Sequence, residues 1–195
     1  MANERIRVLE RGIQVRSNGK FKRALVYWGV VVILAALPAQ IACAQRTAWR
    51  QATDEELASL LPARAQVVKE HIETELRTAS GIVDRRGRYI AGVVLLTAGY
   101  SAEGKYSHYI VLQAPIRIGG VAFKPGEYVF GWDRAPAEDA LNVHFYVAAT
   151  GAPVGSADAH RIAGSSRVES LHIWPPEKGL IQIGRFGIPY ELGEE

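Results

Sequence analysis

Histidines are the side chains of this sequence best suited to chemistry, because imidazole titrates near neutral pH and binds metals. The five histidines are widely separated, and no pair has the H-x-x-x-H or H-E-x-x-H spacing of a helical metal site; they are His71, His108, His144, His160 and His172. Active-site residues can also converge from distant strands. One hypothesis is therefore a hydrolase in which a histidine meets a carboxylate, with candidates His144, His160, His172, Asp158 and Glu169.

Other catalytic patterns have little support in the sequence. The segment Gly155-Ser156-Ala157 lacks the G-x-S-x-G pattern of a nucleophile elbow. No glycine run matches G-x-G-x-x-G or a phosphate-binding loop. The single cysteine, Cys43, falls in the N-terminal leader discussed below. We therefore assign no catalytic residue, expect no metal and no cofactor, and favour a non-enzymatic protein.

Aromatic side chains indicate a binding site more strongly than the histidines indicate catalysis. Tyr128, Phe130 and Trp132 alternate along a predicted strand, so they share one face of it. On another predicted strand, His144 and Tyr146 share the face opposite its apolar residues. The alternatives are an ordinary apolar core for the first set and a solvated face for the second. The predicted ligand-binding residues are Tyr128, Phe130, Trp132, His144, Tyr146 and Trp174.

The elements that must position these residues belong to an antiparallel β domain, predicted over residues 82–195. Apolar and polar residues alternate there, and turn formers such as Pro125-Gly126 and Thr150-Gly151 separate the runs. The predicted strands cover 89–98, 106–113, 116–123, 127–133, 141–148, 154–162, 168–174 and 180–186. Seven or eight short strands of this kind predict a small β-barrel or β-sandwich.

A helical segment is predicted before the β domain, over residues 45–81. Thr53 and Glu56 have the spacing of a capping box, which marks a helix N-terminus. An apolar stripe follows in steps of three or four residues; its members are Leu57, Leu61, Ala65, Val68, Ile72 and Leu76. Because Pro62 interrupts this stripe, we expect a short helix, a break, and then a longer helix to about Thr78 that Gly81 ends.

The first 44 residues have the three parts of a secretory signal peptide. Seven basic residues lie within the first 23, an uncharged apolar stretch begins at Ala24, and Ala42-Cys43-Ala44 has the A-x-A form of a cleavage site. We expect cleavage after Ala44 and export by the general secretory route. One alternative is an uncleaved inner-membrane anchor over residues 24–44. Another is a lipoprotein signal at Cys43.

The positive charge of the chain belongs to this leader. The whole sequence has 23 basic and 20 acidic residues and a formal charge of +3. Residues 1–44 contain seven basic and two acidic side chains, so the remaining chain has a formal charge of −2. A mildly acidic domain does not suit nucleic acid, and we expect no such partner. Membrane contact is expected only through the N-terminal segment.

These features together predict an exported, non-enzymatic β domain, periplasmic or secreted, that binds a small apolar ligand or an envelope protein. The region after the leader has no cysteine and no N-x-S/T sequon, which is typical of a bacterial periplasmic domain. The alternatives are a structural or assembly subunit of the envelope, and the hydrolase built on histidine and carboxylate.

Overall fold

The computed structural model describes residues 49–96, 105–134, 139–164 and 167–193. The predicted leader (1–44), its alternative as an anchor (24–44) and residues 101–104 of an expected hairpin loop lie outside these ranges. Within them, no helix has the length and apolar character needed to cross a membrane.

The described chain is mainly β, since strands make up 63% of it and there is one short helix. The elements are β1 Trp49–Gln51, α1 Asp54–Leu60, β2 Arg64–Val67, β3 Glu70–Asp84, β4 Tyr89–Leu95, β5 His108–Leu112, β6 Ile116–Ile118, β7 Val121–Phe123, β8 Gly126–Arg134, β9 Ala140–Val147, β10 Pro153–Arg161, β11 Glu169–Ile173, β12 Leu180–Gly184 and β13 Phe186–Leu192.

The strands form one curled antiparallel sheet with the shape of a half-barrel. Its strand order is β1-β3-β4-β5-β8-β9-β10-β13-β12-β11, while β2 pairs with β3, and β6 pairs with both β13 and β7. The prediction of a mainly β, antiparallel fold is therefore confirmed at the level of class. The predicted number of strands is too low, because thirteen are present in the described residues.

Part of this difference comes from one predicted strand that is really a hairpin. Residues 116–123 form β6 and β7, joined at Gly119 and Gly120 with φ angles of 54° and 88°. Two consecutive positive φ angles are what a two-residue type I′ turn requires, and glycine adopts them at little cost. Of the other extra strands, β1, β2 and most of β3 lie in the segment that we expected to be helical, and β13 follows the last predicted strand at 180–186.

The long helix predicted to run to Thr78 is wrong. The capping box of Thr53 and Glu56 does start a helix, but α1 ends at Leu60, and β2 and β3 follow after Pro62. A step of four residues fits both the helical period of 3.6 and the strand period of two. The apolar stripe beyond Pro62 therefore could not distinguish the two structures, and strand β3 continues through the expected boundary at residues 81 and 82.

The concave face of the half-barrel holds the larger apolar core. Tyr128 and Phe130 on β8 face the same interior as Phe145 on β9, because alternate residues of a strand point to one side. The β6–β7 hairpin adds Phe123, whose ring packs edge-on at 5.1 Å from Tyr128 and 5.0 Å from Phe145. We call this densely filled region, defined by Phe123, Tyr128, Phe130 and Phe145, the packed end.

The convex face carries a second core beneath α1 and the β2–β3 hairpin. Leu57 and Leu61 from the helical segment and Val67 from β2 are buried together with Val93 and Val129 of the sheet. The central strands are thus covered on both faces. Because this second core covers the convex side of the sheet, a site on these strands has to lie on the concave side.

Strand β11 packs against β3 and β4 and reaches His108 on β5. Two polar contacts tie it there. The Ser80 hydroxyl on β3 accepts a hydrogen bond from the buried backbone N–H of Ile173 at 2.9 Å. The His108 ring on β5 lies 3.3 Å from the carbonyl oxygen of Ser170.

Candidate functional site

A cavity of about 530 Å³ opens at the end of the concave face opposite the packed end, and we call this region the open end. Its walls are mainly apolar, and the side chains that form them come from six different strands or their ends. These apolar side chains are Val94, Trp132, Leu141, Val168, Ile183 and Phe186.

Strand alternation explains why these residues meet. Trp132 lies two residues beyond Phe130 on β8, so it faces the same interior. Leu141 on β9 lies opposite Arg134, and Phe186 on β13 lies opposite Arg161 of β10. The cavity is therefore the continuation of the concave core beyond its last filled layer.

His108 forms the boundary between the packed end and the cavity. Its ring is parallel to that of Phe130, with centroids 4.7 Å apart, and the residue is only 5% exposed. The Nε2 atom faces the carbonyl oxygen of Ser170, which can only accept, so Nε2 carries the proton. The Nδ1 atom lies 2.8 Å from the Ser107 hydroxyl. Both ring nitrogens are engaged within the protein.

Burial also keeps this histidine uncharged. Removal from water disfavours the imidazolium form and lowers the pKa of His108 to about 4, although the contact with the Ser170 carbonyl acts in the opposite direction. At neutral pH the ring is a neutral, stacked wall of the cavity. It is poorly placed to take a proton from a bound molecule.

Charged groups lie at the rim of the cavity. Arg134 and Arg161 contribute to its lining, as does Glu169. Glu169 is in contact with the guanidinium of Arg167. Arg161 is 3.4 Å from Asp139, and more than half of each of these two side chains is exposed. Two arginines and one glutamate give the lining a formal charge of +1.

The six predicted ligand-binding residues do not gather at one site. Only Trp132 lines the cavity, where it is 38% exposed. Tyr128 and Phe130 are buried at the packed end. His144 and Tyr146 lie on the convex face, where His144 contacts Asp133 at 3.3 Å and Tyr146 packs edge-on against the ring of Tyr106.

Trp174 lies after β11, away from the other five. Its indole N–H donates to Gln182 at 3.2 Å, and the ammonium of Lys178 is 3.4 Å from its ring centroid. These contacts occupy both the polar edge and one face of the indole. They fix the Trp174 side chain within the β11–β12 turn.

The histidines considered for a hydrolase also lie apart. His144 and His160 are on neighbouring strands, but Ser156 faces His144 and Ala140 faces His160. The offset of four residues corresponds to roughly 13 Å along a strand. His172 belongs to β11. The described residues contain no group of three histidine, cysteine or acidic side chains that could hold a metal ion.

Sequence reasoning missed His108, Leu141 and Phe186 as cavity residues. A signal for His108 was present, because it alternates with Ile110 and Leu112 in a predicted strand, which places it on the buried face. Leu141 likewise alternates with Val143 and Phe145 on the apolar face of its predicted strand, but nothing in the sequence indicated that Leu141 and Phe186 come together. They meet only because β10 pairs with both β9 and β13.

The fold and this site define a mainly β half-barrel with an apolar cavity at one end. Comparisons with protein-family models, with curated proteins and with solved structures found no match for the chain.

Proposed function

We propose that this protein is an exported, non-enzymatic β domain that binds a small apolar ligand in the cavity at the open end. One observation carries the proposal. Among the described residues, the large apolar side chains that remain exposed are Leu96, Trp132 and Val168, and two of these three line the same cavity. Leu96 follows closely after Val94, which is a third wall residue.

Exposed apolar surface that converges on a concavity is typical of a binding site. Val168 is 57% exposed and Trp132 is 38% exposed, so both have apolar area for a ligand to cover. Covering such area contributes roughly 25 cal/mol per Å². The volume of the cavity also lies in the range of about 300–1,000 Å³ that small-molecule sites occupy.

The chemistry of the site favours binding over catalysis. The one strongly buried histidine, His108, uses both ring nitrogens inside the protein and is neutral at pH 7. Glu169 is already in contact with Arg167. General acid–base catalysis needs a group within hydrogen-bond reach of the substrate and with a pKa near the working pH. The described lining supplies walls for a ligand rather than such a group.

The proposed location rests on the leader pattern at residues 1–44. Native mass spectrometry of the protein purified from a bacterial periplasmic fraction tests it. A mass that corresponds to residues 45–195 is expected, together with an adduct if a ligand co-purifies. Recovery only of the full chain from membranes would contradict cleavage and export in soluble form.

Binding itself is testable with N-phenyl-1-naphthylamine, a neutral apolar dye that fluoresces when it leaves water. We expect a saturable titration with one site. Val168→Gln introduces a neutral polar side chain at the exposed cavity wall, and we expect it to weaken binding about tenfold through loss of apolar contact.

Ala122→Gln is the matched control, because Ala122 is exposed on β7 beside the packed end. It introduces the same side chain outside the cavity, and the affinity for the dye should not change. A titration that does not saturate, or one that both variants alter equally, would overturn the proposed function.

A further inference from the structure

The concave face presents two arginines at the mouth of the cavity. Arg134 is the last residue of β8 and lies opposite Leu141, and Leu141 lies opposite Ala159 of β10. Arg161 is two residues beyond Ala159, so it faces the same side. The two guanidinium-bearing strands therefore flank β9, separated by two strand spacings, on the order of 10 Å.

Neither arginine is strongly engaged by the described chain. Arg161 is 3.4 Å from Asp139, and because both side chains are more than half exposed, the pair contributes little. Arg134 forms no ion pair or hydrogen bond with the described residues. Both guanidinium groups therefore keep donors that can bind an anion.

The other charges around the cavity are balanced or face elsewhere. Glu169 contacts Arg167, which leaves this carboxylate neutralised at the opposite wall. Asp133 lies on the convex face with His144. On the side of Leu141, Arg134 and Arg161 supply two positive charges against the one negative charge of Asp139, which contacts Arg161, so this side keeps a net positive charge.

From this arrangement we propose that the ligand is an amphipathic acid, with an apolar chain in the cavity and a carboxylate held between Arg134 and Arg161. The inference rests on the proposed function, since it specifies the ligand of the same cavity. Trp132 and Leu141 contact the chain next to its head group. Arginine suits this role because its planar guanidinium can donate two parallel hydrogen bonds to a carboxylate.

The experiment compares three ten-carbon ligands in competition with N-phenyl-1-naphthylamine: decanoate, decan-1-ol and decylamine. They share the apolar chain and differ in the charge of the head group. We expect decanoate to bind about tenfold more tightly than decan-1-ol, and decylamine to bind least tightly, because the rim carries net positive charge.

Two variants test whether the preference for decanoate over decan-1-ol depends on the rim arginines. Arg134→Gln and Arg161→Gln should each weaken decanoate binding several-fold while decan-1-ol binding stays constant, and the double variant should bind the two ligands equally. Arg64→Gln is the control, because Arg64 is an exposed arginine on β2, on the convex side. Both rim arginines are exposed, so the variants should fold, and a thermal unfolding curve checks this.

The outcomes separate the two proposals. Equal binding of decanoate and decan-1-ol by the unaltered protein, or a preference for decylamine, overturns the amphipathic acid and leaves the apolar site standing. A decanoate preference that survives the double variant also overturns the role of the two arginines. Failure of the dye and of all three ligands to bind overturns the proposed function itself.

Discussion

The two ends of the concave face are built from the same strands and differ in what fills them. On β8, Phe130 is 1% exposed, whereas Trp132, two residues later and on the same side, is 38% exposed. At the packed end, the β6–β7 hairpin places Phe123 against Tyr128 and Phe145. At the open end, the corresponding layer around Trp132 and Leu141 borders a cavity.

This difference teaches that one run of alternating aromatics can serve two purposes. Strand alternation determines which side of the sheet a residue faces, but it does not determine whether another element covers that side. Phe130 and Trp132 have the same orientation and different surroundings. We therefore expect substitutions at the packed end to change stability, and substitutions at the open end to change binding.

The largest expected effect tests this contrast directly. Phe145→Ala removes a buried ring that touches Phe123 and Phe130, and it should reduce the free energy of unfolding by about 3–5 kcal/mol. Trp132→Ala removes a side chain that is already partly exposed, and we expect a loss below about 1 kcal/mol, with weaker dye binding instead.

Denaturant unfolding of both variants, with the midpoint and slope compared to those of the unaltered protein, measures the two losses. Equal losses for Phe145→Ala and Trp132→Ala would show that the two ends are packed alike. The proposed difference between the packed end and the open end would then be contradicted.

The next effect concerns His108, which lies where the two ends meet. Burial lowers its pKa to about 4 in the folded protein, from an ordinary value of 6.5. Between these values the unfolded chain binds more protons than the folded chain. Above pH 6.5, His108 therefore does not reduce the free energy of unfolding. As the pH decreases toward 4, this one group lowers the free energy of unfolding by about 3 kcal/mol in total.

His108→Phe keeps the stacking on Phe130 and should remove most of this pH dependence, although it also leaves the Ser170 carbonyl without a donor. A smaller dependence should remain, because burial also lowers the pKa of His172. His71→Gln alters an exposed histidine and is the control substitution. Unfolding curves at several pH values between 4 and 7 provide the measurement, and an unchanged profile in His108→Phe would refute the assignment.

The smallest expected effect concerns how β11 is held. Ser80 is level with Tyr128 at the packed end, through the register of Gly92 and Ile110. Ser80→Ala leaves the buried N–H of Ile173 without an acceptor, which should cost about 1–3 kcal/mol.

Ser170→Ala is the matched control at the open end. His108 contacts the backbone carbonyl of Ser170 and not its hydroxyl, and the Ser170 side chain is exposed, so Ser170→Ala should change stability by less than about 0.5 kcal/mol. Dye binding should be unaffected by Ser80→Ala, because Ser80 does not line the cavity. Equal losses for the two serine variants would contradict this account of β11.

Prediction from the sequence was most successful where one local pattern determines the structure. The capping box of Thr53 and Glu56 starts a helix as expected, since its hydrogen bonds involve only neighbouring residues. Prediction was wrong from Ala65 to Thr78. The apolar steps there fit two periods, and pairing of β3 with β1, β2 and β4 favours the strand.

For the candidate site, the prediction identified the face of β8 but not the cavity. Alternation predicts that Tyr128, Phe130 and Trp132 share one face and bind a ligand there. Tyr128 and Phe130 are buried instead. His144 and Tyr146 have the opposite parity to Phe145, so their position on the convex face follows from the same rule. Which face the curled sheet would enclose was not readable from either strand alone.

The sequence by itself determined the antiparallel β class, the start of α1 and the side of each strand that its residues face. These depend on interactions between residues close in the chain. Only the tertiary structure decided that β6 and β7 cover one end of the concave face, that β11 packs against β3 and β4, and that Trp132, Leu141 and Phe186 meet. Such contacts join residues far apart in sequence, and they arise from the curl of the whole sheet, which no local pattern encodes.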